Sequence, residues 1–387
     1  MRVPRATTAR SAYALGSSAN EGSDTGGSAR DDASFMRRAL ELARKGWGQT
    51  APNPMVGAVV VRDGAIVGEG YHTMFGAAHA EIEALRAAGE RAEGATVYVT
   101  LEPCAHQGKT PPCAHALIQA RVARVVVAVR DPNPHAAGGV ERLRAAGIAV
   151  TVGVVESEAR ELDAPFFHSF IEKRPWITLK LAISLDAALA DAAGHSRWIT
   201  SDESRRMVHE MRAGNDAIGV GIGTALADDP SLTVRDAPAP RRPPTRVVFD
   251  RAARLPIGSV LASTARTVPT VVVAESPPMA RVKALQAAGV RVVDAPSLRV
   301  GLDALGDSGV RSLLVEGGAR FAGALIGAGL VDRLVIFQGS AIFGAGALGA
   351  FAFVPPTEVE RAPRWRALER REIGTDTMMV FAPPSGD

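Results

Sequence analysis

The sequence predicts two successive α/β units joined by a helical connector. Short apolar strand-like runs alternate with helical stretches along most of the chain, which is the pattern of mostly parallel α/β domains. At 387 residues the chain is long enough for two ordinary domains. A helical stretch from Val155 ends at Pro175, after which the alternation starts afresh, with no internal repeat linking the halves.

Residues 1–33 are rich in Ser, Ala, Arg, Gly and Thr without hydrophobic periodicity, and are expected to form a disordered extension. They contain no apolar secretory core, and Glu21 and Asp24 speak against a transit peptide. In the first unit, residues 34–174, Ser34 is expected to cap a helix whose apolar positions Phe35, Met36, Ala39, Leu40 and Ala43 recur at helical spacing as far as Gly46. A Pro52-Asn53-Pro54 turn feeds a strand at 56–61, and Asp63-Gly64 folds it into a hairpin with 65–67. Helices over 79–88, 111–121 and 141–146 then alternate with strands over 95–100, 124–129 and 148–152.

In the second unit, residues 175–387, a strand is expected over 176–184. Thr200-Ser201-Asp202-Glu203 reads as a capping box opening a helix to Arg212. Apolar strands follow at 217–222, 247–249, 271–274, 313–315 and 334–337.

Chemistry concentrates between His79 and Cys113. One imidazole (His79) and two thiolates (Cys104, Cys113) supply three ligands of a tetrahedral zinc and leave the fourth place to water, as catalytic sites do. Glu81, two residues beyond His79 at the start of a helix, is placed to shuttle protons without binding the metal. H-x-E followed by P-C and a second Cys is the signature of zinc nucleobase deaminases. Thr110 as a cap and Pro111 in the first turn would put Cys113 near a positive dipole end. The alternatives are a closed structural site with His106 or His115 as fourth ligand, or two inert thiols; a structural site has no use for Glu81. Asn53 is either a substrate contact or plain turn chemistry. His106 and Lys109, in the loop between the cysteines, are either anion contacts or solvated loop residues.

In the second unit, Glu316-Gly317-Gly318-Ala319-Arg320-Phe321-Ala322-Gly323-Ala324 follows an apolar strand and opens a helix. There bare backbone can approach a pyrophosphate, although close strand–helix packing explains two glycines as well. Arg212 and Arg235 suit phosphate as planar forks, or are solvated surface charges. The chain uses Arg for nearly all its basic residues, so Lys109 and Lys180, both inside motifs, point to a need for a compact ammonium.

These residues also resemble a known family. Pro52-Asn53-Pro54-Met55-Val56-Gly57-Ala58, then His79-Ala80-Glu81, then Thr100-Leu101-Glu102-Pro103-Cys104 through Cys113 resemble the deaminase half of the bifunctional riboflavin biosynthesis enzyme, diaminohydroxyphosphoribosylaminopyrimidine deaminase/reductase. The eight residues between Cys104 and Cys113 are the telling detail, since cytidine and tRNA adenosine deaminases have two there. Asp131-Pro132-Asn133-Pro134 matches the family as well; the Gly138-Gly139 turn after it looks a residue short. The resemblance implies a cytidine-deaminase-like α/β/α sandwich, with His106 and Lys109 helping to bind a ribose phosphate.

Lys180 through Asp186, Ser196 through Thr200, Gly221 through Arg235 and the Glu316 stretch resemble the reductase half, in family order, which implies a dihydrofolate-reductase-like domain using NADPH. By that resemblance Ala182, Trp198, Thr224, Asp228 and the loop Gly318, Ala319, Arg320, Phe321, Ala322, Gly323, Ala324 contact the cofactor. Ser196, Arg212, Leu232, Arg235 and Glu316 contact the ribosylaminopyrimidine phosphate, with Lys180 and Asp186 close to the reduced carbon. Two positions depart from the family pattern, Ala187 where it has Gly and Arg333 where it has Glu. If the glycine needs positive φ, Ala187 costs on the order of 1 kcal/mol and displaces Asp186.

The expectation is therefore a bifunctional enzyme requiring Zn2+ and NADPH, acting on a phosphorylated pyrimidine. The rival is a deaminase whose second unit is a degenerate scaffold. A net charge of +3 and the lack of aromatic platforms weigh against a nucleic-acid partner. With only two cysteines, both in the motif, and no apolar run of ~18 residues, a reducing, non-membrane compartment, the cytoplasm, is the default. A homo-oligomer is the expectation for a protein of this pathway.

Overall fold

The structure, a computed structural model, describes residues 27–106 and 111–384. They fall into two compact units. One takes the described residues through Trp47 together with Met55–Leu162, and the other takes Gly48–Pro54 and the chain from Asp163. The division precedes the expected 174/175 boundary. The short helix after Asp163 belongs with the second unit, where the His168 ring meets Trp176 edge-on at 5.5 Å.

The first unit runs α1 (Gly27–Ala43), β1 (Gly57–Arg62), β2 (Ala65–Tyr71), α2 (Ala80–Ala88), β3 (Thr96–Leu101), α3 (Cys113–Gln119), β4 (Arg124–Val129), α4 (Gly139–Ala145), β5 (Ala149–Val152), α5 (Glu156–Leu162). Its sheet has the order β2-β1-β3-β4-β5. β1 is antiparallel to both β2 and β3, whereas β3, β4 and β5 are parallel. The hairpin forms where Asp63-Gly64 predicts it, with both residues at positive φ (52° and 76°), as a type I′ turn demands. Alternation along the strands splits the core. Ala58, Val60, Val97, Val99, Val125 and Val127 face Ala80, Ala84, Ala114, Leu117, Val140 and Leu143 of α2, α3 and α4. The other face is covered by α1, giving α/β/α layers.

Two local expectations are corrected here. α1 begins at Gly27 rather than at a Ser34 cap, so residues 27–33 are helical instead of disordered. Its first half is anchored from a distance: buried Asp32 accepts a two-pronged bond from Arg124 (2.9 and 2.7 Å) and another from the Tyr98 hydroxyl (2.8 Å), partners that no local pattern reveals. α3 begins at Cys113 behind Pro112, which makes no side-chain cap, so Pro111 stands outside the helix. Thr110, the expected cap, lies outside the described residues.

The second unit runs α6 (Ala164–His168), β6 (Trp176–Ile183), β7 (Ala188–Ala190), α7 (Asp202–Ala213), β8 (Ala217–Gly221), α8 (Ile222–Asp228), β9 (Thr245–Phe249), α9 (Val260–Ser263), β10 (Thr270–Ala274), α10 (Met279–Ala287), β11 (Arg291–Asp294), α11 (Leu298–Asp307), β12 (Ser312–Glu316), α12 (Ala319–Gly327), β13 (Arg333–Gln338), β14 (Leu348–Gly349), β15 (Arg366–Ile373), β16 (Asp376–Ala382). Nine strands form one sheet in the order β11-β10-β9-β8-β12-β6-β13-β16-β15, with parallel pairings except those that β16 makes with β13 and β15. Because sequential strands diverge from the centre, the C-terminal edge around β6, β8 and β12 is a switch point where ligands bind in open α/β sheets. The antiparallel hairpin β15–β16 was not anticipated; β15 is a charge-rich edge strand (Arg366, Glu369, Arg370, Arg371, Glu372) without an apolar run. The cap of α7 is Ser201, not Thr200: its hydroxyl accepts the Ser204 N–H, and Asp376 of β16 accepts from the Ser201 N–H (2.7 Å) and both serine hydroxyls. No helix among the described residues is long and apolar enough to cross a membrane.

Candidate functional site

In the first unit, α2 starts just after His79 and α3 starts with Cys113, while Cys104 follows the end of β3. Three helix and strand ends thus converge on one point of the sheet edge. His79 Nδ1 lies 3.2 Å from Cys113 Sγ and 3.7 Å from Cys104 Sγ. In a tetrahedron with Zn–N of 2.0–2.1 Å and Zn–S of 2.3 Å, the N···S edge is about 3.6 Å. The observed pair brackets that length, and all three ligand atoms lie within 4.8 Å of one another, so the donor set fits zinc. Neither His106 nor His115 joins the group among the described residues, which leaves a fourth position open.

The electrostatics agree. The Cys104 thiol is held well below its ordinary value, first by the hydrogen bond from Cys113, then by His79; the Cys113 thiol is pushed up by donating that bond and by burial. The Cys113 N–H, 3.3 Å from Cys104 Sγ, lowers the Cys104 thiol further. Hydrogen bonding to Cys104 raises the His79 imidazole. Glu81 is buried, with its carboxyl within hydrogen-bond reach of the Cys113 thiol, and burial raises it to about 7.

A residue the sequence reading left without a role sits beneath this point. The buried Glu102 carboxylate accepts the N–H groups of Gly138 and Val140 (both 3.1 Å) and of Asp131 (3.3 Å). It fastens the 131–140 turn against the Cys104 loop. A side chain at Gly139 would meet the Pro103 carbonyl at 1.8 Å, which accounts for the glycine pair there. The signal was a glutamate inside an otherwise chemical motif. His106 is exposed beside this loop, and Lys109 lies outside the described residues. Asn53, its N–H bonded to the Thr50 carbonyl, stands in the segment that groups with the second unit.

In the second unit the strand ends open into a cleft of about 1760 Å³, larger than the ~300–1,000 Å³ of a single small-molecule pocket and so with room for two ligands. It gathers Lys180, Ala182, Ser196, Trp198, Arg212, Thr224, Asp228, Leu232, Arg235 and Glu316, together with Gly318, Ala319, Arg320, Phe321 and Ala324. Three expected contacts lie outside this lining. Ala322 and Gly323 are buried in α12, where Gly323 lets the Phe353 backbone approach. Asp186 is not part of the cleft wall either. It is exposed at the β6–β7 turn, accepting the Ser184 hydroxyl (2.6 Å) and the N–H groups of Phe343 (3.2 Å) and Gly344 (2.8 Å).

Arg212 departs from expectation in another way. Its fork is closed on Glu316 through bonds of 2.6 and 3.0 Å, and a third N–H goes to the Thr233 carbonyl at 2.9 Å. Burial opposes ionisation of Glu316, but the Arg212 charge and fork, with Lys180, hold its carboxyl below the usual range. Burial lowers the Lys180 ammonium. Arg212 and Glu316 thus form an ion pair at the cleft floor, whereas Arg235 is exposed and, among the described residues, its side chain bonds Ser231 Oγ alone (2.7 Å), which leaves its fork open to an anion. The Gly318 N–H donates to Thr224 Oγ1 (3.1 Å), so α8 and the N-terminus of α12 present bare backbone together. That surface fits the pyrophosphate of a dinucleotide. The sequence reading missed Arg251, Arg254 and Ser297, which line the cleft beyond β9 and β11, because each follows a strand singly, without a motif.

Comparison with known proteins matches a family model to each half of the chain. The family model for the cytidine and deoxycytidylate deaminase zinc-binding region matches residues 29–129, and that for the RibD C-terminal domain matches residues 175–379. The chain is 43% identical to the riboflavin biosynthesis protein RibD of Aquifex aeolicus over 90% of this chain and 98% of that protein, and 42% identical to RibD of Escherichia coli with the same coverage. Among solved structures, Acinetobacter baumannii RibD matches with a TM-score of 0.82 at 37% identity, covering 92% of this chain and 100% of that one. A Thermotoga maritima diaminohydroxyphosphoribosylaminopyrimidine deaminase/5-amino-6-(5-phosphoribosylamino)uracil reductase matches with a TM-score of 0.81 at 37% identity, covering 92% and 99%.

Proposed function

The chain belongs to the RibD family of riboflavin biosynthesis proteins, and from that premise we propose how its own residues divide the work of a bifunctional deaminase and reductase. The first unit hydrolyses the 2-amino group of 2,5-diamino-6-(5-phosphoribosylamino)pyrimidin-4(3H)-one. The second unit uses NADPH to reduce the ribosyl group of the resulting 5-amino-6-(5-phosphoribosylamino)uracil to ribityl. The observation that carries the first assignment is the His79–Cys104–Cys113 triad with Glu81 buried beside it and a fourth position open.

When bound, zinc supplies the Lewis acidity that makes water nucleophilic near pH 7. Deamination then needs protons moved in order. A C–O bond forms at the amino-bearing ring carbon as water gives a proton to Glu81; Glu81 returns it to the ring nitrogen, takes the second proton, and delivers it to the amine as the C–N bond breaks and ammonia leaves. Burial raises the Glu81 carboxyl above the usual carboxylate range, which favours its taking up and holding the proton between the two transfers. Glu102 and Gly139 hold the loop of Cys104 in register, and His106 and Lys109 are the anion contacts of the inter-cysteine loop.

In the second unit NADPH supplies hydride to C1′, and the sugar oxygen leaving that carbon takes up one proton. Thr224, Gly318 and the start of α12 would hold the pyrophosphate of NADPH, and Trp198 and Ala182, in the same cleft, would hold its nicotinamide end. Arg235, with Ser196 and Leu232, holds the substrate phosphate. Lys180, its acidity increased by burial and by the Arg212 charge against the opposing pull of Glu316, is the proton donor in the cleft.

The deciding experiment is Glu81→Gln, which keeps size and polarity but not the titrating group. Ammonia release should fall by ~10²–10⁴-fold with zinc content, read by atomic absorption, unchanged. Near-normal deamination by the zinc-loaded variant would sink the assignment.

A further inference from the structure

The segment between α8 and β9 that carries Leu232 and Arg235 is under backbone strain. Asp229, Leu232 and Asp236, none of them glycine, have φ of 38°, 47° and 52°. Left-handed conformations are unfavourable for such residues and persist where surrounding structure over-determines them, often at ligand clamps. The restraints here are specific. Asp229 Oδ1 accepts the Val260 N–H (2.8 Å), Arg246 reaches the Ser231 carbonyl (3.3 Å), Leu232 is buried, and Arg212 reaches the Thr233 carbonyl (2.9 Å). The remaining restraint acts on Arg235 itself: its backbone N–H donates to Nδ1 of His209, a buried residue of α7, at 3.0 Å.

We propose that His209 is a positioning residue for the reductase substrate: by accepting the Arg235 N–H it fixes the strained turn that aims the Arg235 guanidinium at the substrate phosphate. The inference rests on the assignment of Arg235 as the phosphate contact. The hydrogen bond requires a neutral imidazole with its proton on Nε2. The charges around the ring are Arg212 on its own helix, Arg235 and Asp236 on the loop, and Glu316 on β12. Burial, followed by the two arginines, lowers the imidazole pKa and keeps Nδ1 free to accept.

The test separates this role from bulk. In asparagine Oδ1 stands, like Nδ1 of histidine, one bond beyond Cγ, so His209→Asn keeps an acceptor and His209→Leu does not. His209→Leu should raise the KM for the phosphorylated pyrimidine about tenfold, with NADPH affinity from fluorescence titration unchanged, and His209→Asn should stay within about twofold of the parent. The KM of the parent should also rise as pH falls through the lowered pKa of the imidazole, more steeply than that of His209→Asn. Titration of the substrate phosphate is common to both proteins, so only the difference counts. An unchanged KM in His209→Leu, alongside a raised KM in Arg235→Ala, overturns the proposal and leaves the phosphate assignment standing. An unchanged KM in Arg235→Ala overturns that assignment. If His209→Leu does not fold, the pH comparison with His209→Asn decides, and identical profiles overturn the proposal.

Discussion

Ala187 holds a φ of 61°, a conformation that glycine adopts freely and a Cβ resists. Asp186 beside it is nonetheless fully engaged, and the Ser184 hydroxyl, followed by the N–H groups of Gly344 and Phe343, lowers its carboxyl to about 2. The Ala187 N–H and carbonyl are also both bonded, to Ser184 and Ala350. The departure from the family glycine is therefore a cost in stability that neighbouring bonds offset. Ala187→Gly should stabilise the protein by roughly 0.5–1 kcal/mol in denaturant unfolding, with reductase turnover unchanged; a loss of stability would show that the turn is not strained. Arg333, the other departure, lies over the Trp176 ring at 5.4 Å, a packing contact at the start of β13.

Helices act here through their ends. The first turns of α1 are held to the sheet by the Asp32–Arg124–Tyr98 cluster. Burial works against the charged form of Asp32, but hydrogen bonds from Arg124 and Tyr98 prevail and lower its carboxyl below 3.8. A depressed carboxylate contributes stability that is complete above its unfolded value and lost as pH falls through its folded value. Asp32→Asn should therefore cost roughly 1–3 kcal/mol at neutral pH, with the gap to the parent closing as pH falls below 3.8; a gap independent of pH would exclude the ion pair as its source. At α12 the end serves a ligand. A side chain at Gly318 would stand 3.1 Å from Thr224 Oγ1, and a carboxylate there would also repel a pyrophosphate. Gly318→Asp should weaken NADPH binding at least tenfold by fluorescence titration, and unchanged affinity would move the cofactor elsewhere.

At the scale of the molecule, each compact unit has its own sheet, its own core and its own site. The ligand triad belongs wholly to the first unit and the cleft wholly to the second. Chelation should therefore abolish ammonia release while NADPH oxidation on the deaminated substrate continues, followed as absorbance loss at ~340 nm. Loss of both activities together would show that folding of the second unit depends on the metal site of the first.

Local chemistry made much of this legible in advance. His79, Glu81, Cys104 and Cys113 carry their meaning in residue type and spacing, and the Asp63-Gly64 turn and the parallel strands declare themselves by backbone preference and apolar runs, because those effects act over a few residues. Only the tertiary structure could decide what depends on partners far along the chain. Asp32 is helical because Tyr98 and Arg124 hold it; Arg212 is closed on Glu316 rather than open to phosphate; Ala322 and Gly323 are buried in α12 while Gly318 borders the cleft; and Glu102 and His209 act by aiming other residues. Each of these depends on which side chains a folded sheet brings within hydrogen-bonding distance, a quantity that no short stretch of sequence contains.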